Sequence, residues 1–211
     1  MIDSLYGIFG GTFDPVHNGH LQTVLEVVQK CGLERVLFVP SAIPPHKNTP
    51  HASASERLEM VRLAISSYRN FELDDRELQR DAPSYTLETI KSLNQDYPDR
   101  KFCFILGIDA MLGLENWYQW QELLSCMHFI VMQRPGWARA EDLPEWWHKR
   151  LATSLSDLKN SQGGKIFETH VKPVAVSATE IRFSIAQDID VSGMMPEPVW
   201  EYIQKNNLYQ K

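Results

Sequence analysis

Phe9-Gly10-Gly11-Thr12-Phe13-Asp14-Pro15-Val16-His17-Asn18-Gly19-His20 follows a short apolar run, Leu5 to Phe9, and leads into a stretch that carries Leu21, Val24, Leu25 and Val28 on one helical face. A buried strand, a glycine-rich turn and a helix starting at a histidine pair are expected in that order. Gly10 and Gly11 let the backbone pass close to a ligand. The helix N-terminus beyond them presents unpaired N–H groups and the positive end of its dipole. His17 and His20, at i and i+3, point from the first turn toward the same place. Together these groups make an anion site, and phosphate is the anion that suits it. A plain tight turn with two surface histidines is the simpler reading. A metal site is the weaker one, because no Cys, Glu or third His stands at ligand spacing beside the pair.

Outward from this segment, strand and helix signals alternate. Arg35 to Val39 reads as a second strand closed by Pro40. A proline-rich loop, Ser41 to Ala54, leads to a helix announced by Ser53 and Glu56 at capping-box spacing and carrying Leu58, Val61 and Ile65. Phe71 to Asp74 is a short strand and Thr86 to Leu93 a helix. Phe102 to Leu106 is a central strand that meets Gly107-Ile108-Asp109, and Phe129 to Met132 repeats that form. A helical stretch spans Leu143 to Leu158, Lys165 to Thr169 is a late strand, and Glu197 to Gln204 is a closing helix. The alternation predicts an α/β fold: a Rossmann-like, doubly wound parallel sheet with a small C-terminal helical part. Ligands in such sheets bind beyond the carboxyl ends of the strands, where the glycine-histidine turn, the proline-rich loop and Gly107-Ile108-Asp109 all fall.

Composition narrows the function classes. The 211 residues contain no low-complexity linker or repeat, so a single domain over residues 1–211 is expected. Residues 1–20 lack the pattern of an export signal and no apolar run has the length of a membrane span, which predicts a cytoplasmic protein without a membrane partner. Cys31, Cys103 and Cys126 are odd in number and lie in apolar patterns, as buried thiols of a reducing compartment do. A net charge of −6 argues against nucleic acid as a partner. An anionic substrate has to be met locally.

The opening string resembles the T/H-x-G-H signature of the nucleotidyltransferase superfamily, in the form used by small adenylyltransferases. A second segment, Val176-Ser177-Ala178-Thr179-Glu180-Ile181-Arg182, is by its chemistry a helix start that Ser177 or Thr179 can cap. Beside the first motif it resembles the superfamily's Ile/Val-Ser-x-Thr-x-Ile-Arg signature, which implies a triphosphate held by Ser177, Thr179 and Arg182. Ala178 stands where many relatives have Ser, and it keeps the main-chain donors. Gly107 and Asp109 resemble the Gly-x-Asp loop that binds the adenosine ribose, although Asp109 also suits a plain N-cap. Pro44-Pro45-His46-Lys47 resembles the family segment beside the reacting phosphates, and Arg134 in Arg134-Pro135-Gly136 is assigned a similar role.

Ser84-Tyr85-Thr86 before a helix, with Trp117-Tyr118 soon after the nucleotide loop, is similar to the arrangement that grips the pyridine ring and carboxylate in bacterial nicotinate mononucleotide adenylyltransferases. The likeness runs from Gly10 to Met195-Pro196-Glu197-Pro198-Val199. Residues 138–164 follow no pattern that carries over. The resemblance implies that ATP and nicotinate mononucleotide are joined into nicotinate adenine dinucleotide with release of pyrophosphate, in NAD biosynthesis. ATP would meet Gly10, Gly11, Thr12, Phe13, His17, Gly19, His20, Gly107, Asp109, Ser177, Thr179 and Arg182. The mononucleotide would meet His46, Lys47, Tyr85, Thr86, Trp117, Tyr118 and Arg134, with His17, His20, Lys47 and Arg182 stabilising charge during transfer. Mg²⁺ would be held mainly by the ATP phosphates, with no dedicated protein ligands. Monomer and homodimer both remain open. A phosphopantetheine adenylyltransferase is the alternative with the same chemistry, and a non-catalytic nucleotide-binding regulator the alternative from another class. A cytidylyltransferase would carry an Arg-Thr-x-Gly-Ile-Ser-Thr form of the second signature, which Val176 to Arg182 does not match.

Overall fold

The computed structural model describes residues 4–42, 49–80, 84–133 and 143–210. In chain order the elements are β1 (Leu5–Gly11), α1 (Asn18–Cys31), β2 (Leu33–Pro40), α2 (Ala54–Ile65), β3 (Phe71–Leu73), α3 (Thr86–Asp96), β4 (Lys101–Gly107), α4 (Ile108–Leu112), a 3-10 turn (Leu114–Asn116), α5 (Trp120–Cys126), β5 (His128–Gln133), α6 (Glu145–Arg150), α7 (Leu155–Lys159), β6 (Ile166–His170), α8 (Ala178–Ile185), a second 3-10 turn (Ser192–Met194) and α9 (Glu197–Lys205). Among the described residues six strands form one sheet in the order β3-β2-β1-β4-β5-β6. β1 pairs parallel with β4, Leu5 opposite Lys101, and β4 and β6 flank β5 in parallel. This is the doubly wound order expected when right-handed crossovers grow outward from the first strand in both directions.

Two compact units can be told apart. One comprises Met1–Phe9, Glu26–Val36 and Tyr85–Lys172, the other Gly10–Leu25, Leu37–Ser84 and Pro173–Lys211. In the first, Leu5, Ile8, Phe102, Ile105, Phe129, Ile130 and Val131 form a sheet buried on both faces, which accounts for their nearly continuous apolar runs. A Cβ on Gly7 would lie 2.8 Å from Val36 Cγ2 and 2.9 Å from Ile105 Cδ1, so the strand interior has no room there for a side chain. Gly32, at φ +60°, ends α1 in the left-handed region. In the second unit, the Ser53 hydroxyl accepts from the Glu56 N–H at 3.3 Å and the Glu56 carboxylate accepts from the Ser53 N–H at 2.7 Å, the capping box the sequence predicts.

Three expectations need correction. The stretch Leu143–Leu158 is two short helices, α6 and α7, because Leu151 pairs parallel with Ile166 and the Ala152 N–H donates to the Ile166 carbonyl at 2.7 Å. The break is stabilised by the Asp157 carboxylate, which accepts from the Thr153 and Ser154 N–H groups. On α2 the buried stripe is Arg57, Met60, Val61, Ala64 and Ile65, with Leu58 only half-buried. Cys126 is half-buried, unlike Cys31 and Cys103. α4, α5 and the turn between them are too short to leave a periodic signal.

Candidate active site

The turn after β1 is built around Phe13, whose φ of 50° puts a non-glycine residue in the left-handed region. Its ring is buried, edge-on to His20 at 5.3 Å and tilted on Phe38 at 6.0 Å. The Phe13 side chain thus packs beneath His20 and belongs to the interior of the unit. The Asp14–Pro15 peptide that follows is cis. Gly11 lies against the Phe13 ring, where an added Cβ would sit 3.1 Å from two ring carbons, and its carbonyl accepts from the Ser41 N–H at 2.9 Å. Gly10 is exposed and Thr12 half-buried.

His17 and His20 stack with ring centroids 3.7 Å apart and planes 23° from parallel. His17 precedes α1, and His20 lies in its first turn. The His17 main-chain N–H donates to His20 Nδ1 at 3.3 Å, so a neutral His20 ring carries its proton on Nε2. Burial lowers the His17 pKa from 6.5 to about 4, which leaves this ring neutral at pH 7. Among the described residues its Nδ1 has no hydrogen-bond partner. Gly19 is required by this packing: a Cβ there would come within 2.9 Å of His17 Nδ1 and 3.3 Å of the Val176 carbonyl oxygen.

The second signature lies in the same unit. Ser177 caps α8, its hydroxyl accepting from the Glu180 N–H at 3.1 Å, which leaves the earlier N–H groups of the helix to face an anion. Arg182 donates through Nη1 to the Asp14 carbonyl at 2.6 Å and approaches Thr179 Oγ1 at 3.5 Å through Nη2. The guanidinium is thus tied directly to the glycine-histidine turn. Asp14 and Arg57 were not singled out from the sequence. Asp14 is buried; desolvation pushes its carboxyl up, but the His51 and Ala52 N–H groups, the Tyr209 hydroxyl and the Arg182 charge outweigh it and hold the group below the usual carboxylate range. Arg57 is 1 % exposed and donates to the carbonyls of Thr12, Ser41, Ala42 and Ala52. An arginine on the apolar stripe of α2, four residues before Val61, was the available signal.

In the other unit, β4 ends at Gly107, where an added Cβ would meet nothing within 4 Å, and exposed Asp109 lies in the first turn of α4 rather than at its cap. Tyr85 precedes α3 without a side-chain cap bond and stacks on Tyr118 with centroids 4.5 Å apart. Thr86 is the first residue of α3. Trp117 is half-buried, edge-on to Phe104 at 5.9 Å, while Tyr118 is 46 % exposed. His46, Lys47 and Arg134 lie outside the described residues. Among the described residues no group of three or more His, Cys, Asp or Glu is placed to hold a metal ion, and no helix is long and apolar enough to cross a membrane.

The neutral buried histidines have a consequence for stability. His128, fully buried, accepts from the Lys165 N–H at Nδ1 and meets the Ser161 carbonyl at Nε2, and burial lowers its pKa to about 4, as for His17. Between about pH 6.5 and 4 the unfolded chain takes up protons that these two rings refuse. Stability is therefore complete above about pH 6.5 and falls with pH through that window, by roughly 2–3 kcal/mol for each ring. Thermal melting between pH 7 and 4.5 should show this slope, and His128→Gln should flatten it. An unchanged slope in the variant would show that His128 does not carry it.

Residues 8–183 match the family model described as Cytidylyltransferase-like. The chain is 41% identical over 206 residues to a protein of Psychromonas ingrahamii named "Probable nicotinate-nucleotide adenylyltransferase", covering 97% of this chain and 96% of the relative. A Shewanella frigidimarina protein of the same name is 42% identical over 208 residues, covering 97% and 99%. In fold, the chain matches Plasmodium falciparum nicotinic acid mononucleotide adenylyltransferase complexed with NaAD at a TM-score of 0.75 and 19% identity, over 98% of this chain and 97% of the other. Given the match along its full length, the chain belongs to the nicotinate-nucleotide adenylyltransferase family within the cytidylyltransferase-like group.

Proposed function

We propose that the protein joins ATP and nicotinate mononucleotide into nicotinate adenine dinucleotide, releasing pyrophosphate, as a cytoplasmic step of NAD biosynthesis. The observation that carries this reading is the bond from Arg182 to the Asp14 carbonyl, which joins the two segments that resemble the superfamily signatures within one unit and so supports assigning both to the phosphates of ATP. The mononucleotide phosphate attacks the ATP α-phosphate in line. It is already an anion, so no general base is needed, and catalysis consists of positioning and charge stabilisation. His20 is assigned to the charge that develops on the α-phosphate oxygens, with neutral His17 stacked on its ring. Arg182 and the N-terminus of α8 meet the departing pyrophosphate, and Lys47 is assigned there by resemblance. Mg²⁺, held mainly by the ATP phosphates, would help neutralise their charge.

Asp109 is assigned to the ribose of ATP. Tyr85, Thr86, Trp117 and Tyr118 are assigned to the pyridine ring and its carboxylate, with His46 and Arg134 assigned to the mononucleotide by resemblance. The test is pyrophosphate release from ATP with nicotinate mononucleotide or phosphopantetheine as acceptor. Release is expected with the first alone. Release with phosphopantetheine alone would replace the acceptor assignment, and release with neither would favour a nucleotide-binding regulator.

A further inference from the structure

The Asp14 carboxylate joins segments far apart in the sequence. Oδ1 accepts from the Ala52 N–H at 3.1 Å and from the Tyr209 hydroxyl at 2.8 Å. Oδ2 accepts from the His51 N–H at 2.8 Å, with His51 Nδ1 at 3.4 Å and Arg182 Nη1 at 4.0 Å. All these groups belong to one compact unit. Tyr209 arrives by an unusual path: α9 stops at Lys205, the Leu208 N–H returns to the Ile203 carbonyl at 3.0 Å, and Asn207 and Tyr209 hold φ values of 51° and 64°. Asn207 with the Leu208 bond forms an ordinary Schellman helix end, where Asn takes the left-handed region readily, whereas a tyrosine in that region persists where surrounding contacts hold it. The contacts here are the bond to Asp14 and a seat against fully buried Met60, whose Sδ is 4.0 Å from the phenol oxygen.

We infer that Tyr209 is a positioning residue of the phosphate site: its hydroxyl completes the donor set that clamps Asp14, and Asp14 orients the Arg182 guanidinium through its main-chain carbonyl. This deepens the function proposed above and rests on the phosphate role given there to Arg182. Without the phenol, Oδ1 of a buried carboxylate keeps, among the described residues, the Ala52 N–H as its one donor, and the turn residue that Arg182 bonds loses one of its anchors. The cost should therefore appear in ATP binding and depend on Arg182.

Tyr209→Phe keeps the ring and removes only the hydroxyl. ATP affinity is measured by calorimetry without any acceptor, so an error in the acceptor assignment leaves this test intact. Binding is expected to weaken about 10-fold, the scale of one hydrogen bond to a charged group. In an Arg182→Gln background the same change should cost less than about 2-fold, because coupled residues are non-additive. A purely structural tail would lower the melting temperature without that dependence. Unchanged affinity, or an equal loss in both backgrounds, overturns the inference. Should Tyr209→Phe fold poorly, Asp14→Asn tests the same link, and it too must show an Arg182-dependent loss.

Discussion

His20→Ala is expected to lower kcat by about 10²–10³-fold while KM for either substrate changes far less. That is the scale seen when one preorganised donor to a developing oxyanion is removed. The structure gives the donor its orientation: the His17 main-chain N–H occupies Nδ1, the His17 ring stacks on one face, and the Phe13 ring meets the side chain edge-on. A donor held this way needs no reorganisation when charge builds on the α-phosphate, so its benefit arises mostly after the ground state. Steady-state kinetics with both substrates varied separate the two effects. A variant with wild-type kcat would remove His20 from the transfer step. A rise in KM alone would make it a ground-state ligand.

The second large effect is selection of acid over amide. The efficiency, kcat/KM, with nicotinate mononucleotide should exceed that with nicotinamide mononucleotide by at least ~10²-fold, corresponding to about 2.7 kcal/mol. The carboxylate is assigned to the start of α3. Glu88 and Thr89 donate to the Tyr85 carbonyl, and no side chain of Tyr85 caps the helix, so the earliest N–H groups are left to meet a carboxylate. An amide turns its own donor toward those same groups and leaves them unpaired, and sites built on such polar matching discriminate strongly. Thr86 is the first residue of α3, and Tyr85 before it has φ −82° and ψ 124°, both compatible with a following proline. Thr86→Pro therefore deletes an N–H without breaking the helix and should erode the preference further than Thr86→Ala. Equal efficiencies for acid and amide in the unaltered protein would overturn the substrate assignment.

Much of this molecule is written locally. The turn after β1, the Gly32 helix end and the Ser53–Glu56 capping box depend on groups within a few residues of one another, so composition and spacing reveal them. The parallel, doubly wound sheet follows almost as directly from the alternation of strands and helices with right-handed crossovers, whereas the strand order β3-β2-β1-β4-β5-β6 comes from the structure. The approach of the two signatures was expected from resemblance and is carried in the structure by Arg182 and the Asp14 carbonyl. Local pattern failed where a distant strand competed with it: the apolar spacing of Leu143–Leu158 suits one helix, and pairing of Leu151 with Ile166 divides it into two.

The sequence by itself determined the alternation of strands and helices and the glycine-rich turn before α1, since these rest on short-range stereochemistry, and it marked by resemblance the residues assigned to phosphate. Tertiary structure alone decided how those residues are held and in what state. Among the described residues Arg57 bonds only to carbonyls, which every residue possesses, so no complementary letter marks its partners. Tyr209 meets Asp14 across nearly the whole length of the chain. His17 stays neutral because burial withdraws water from its ring, and burial belongs to the packed unit rather than to any residue named in the sequence.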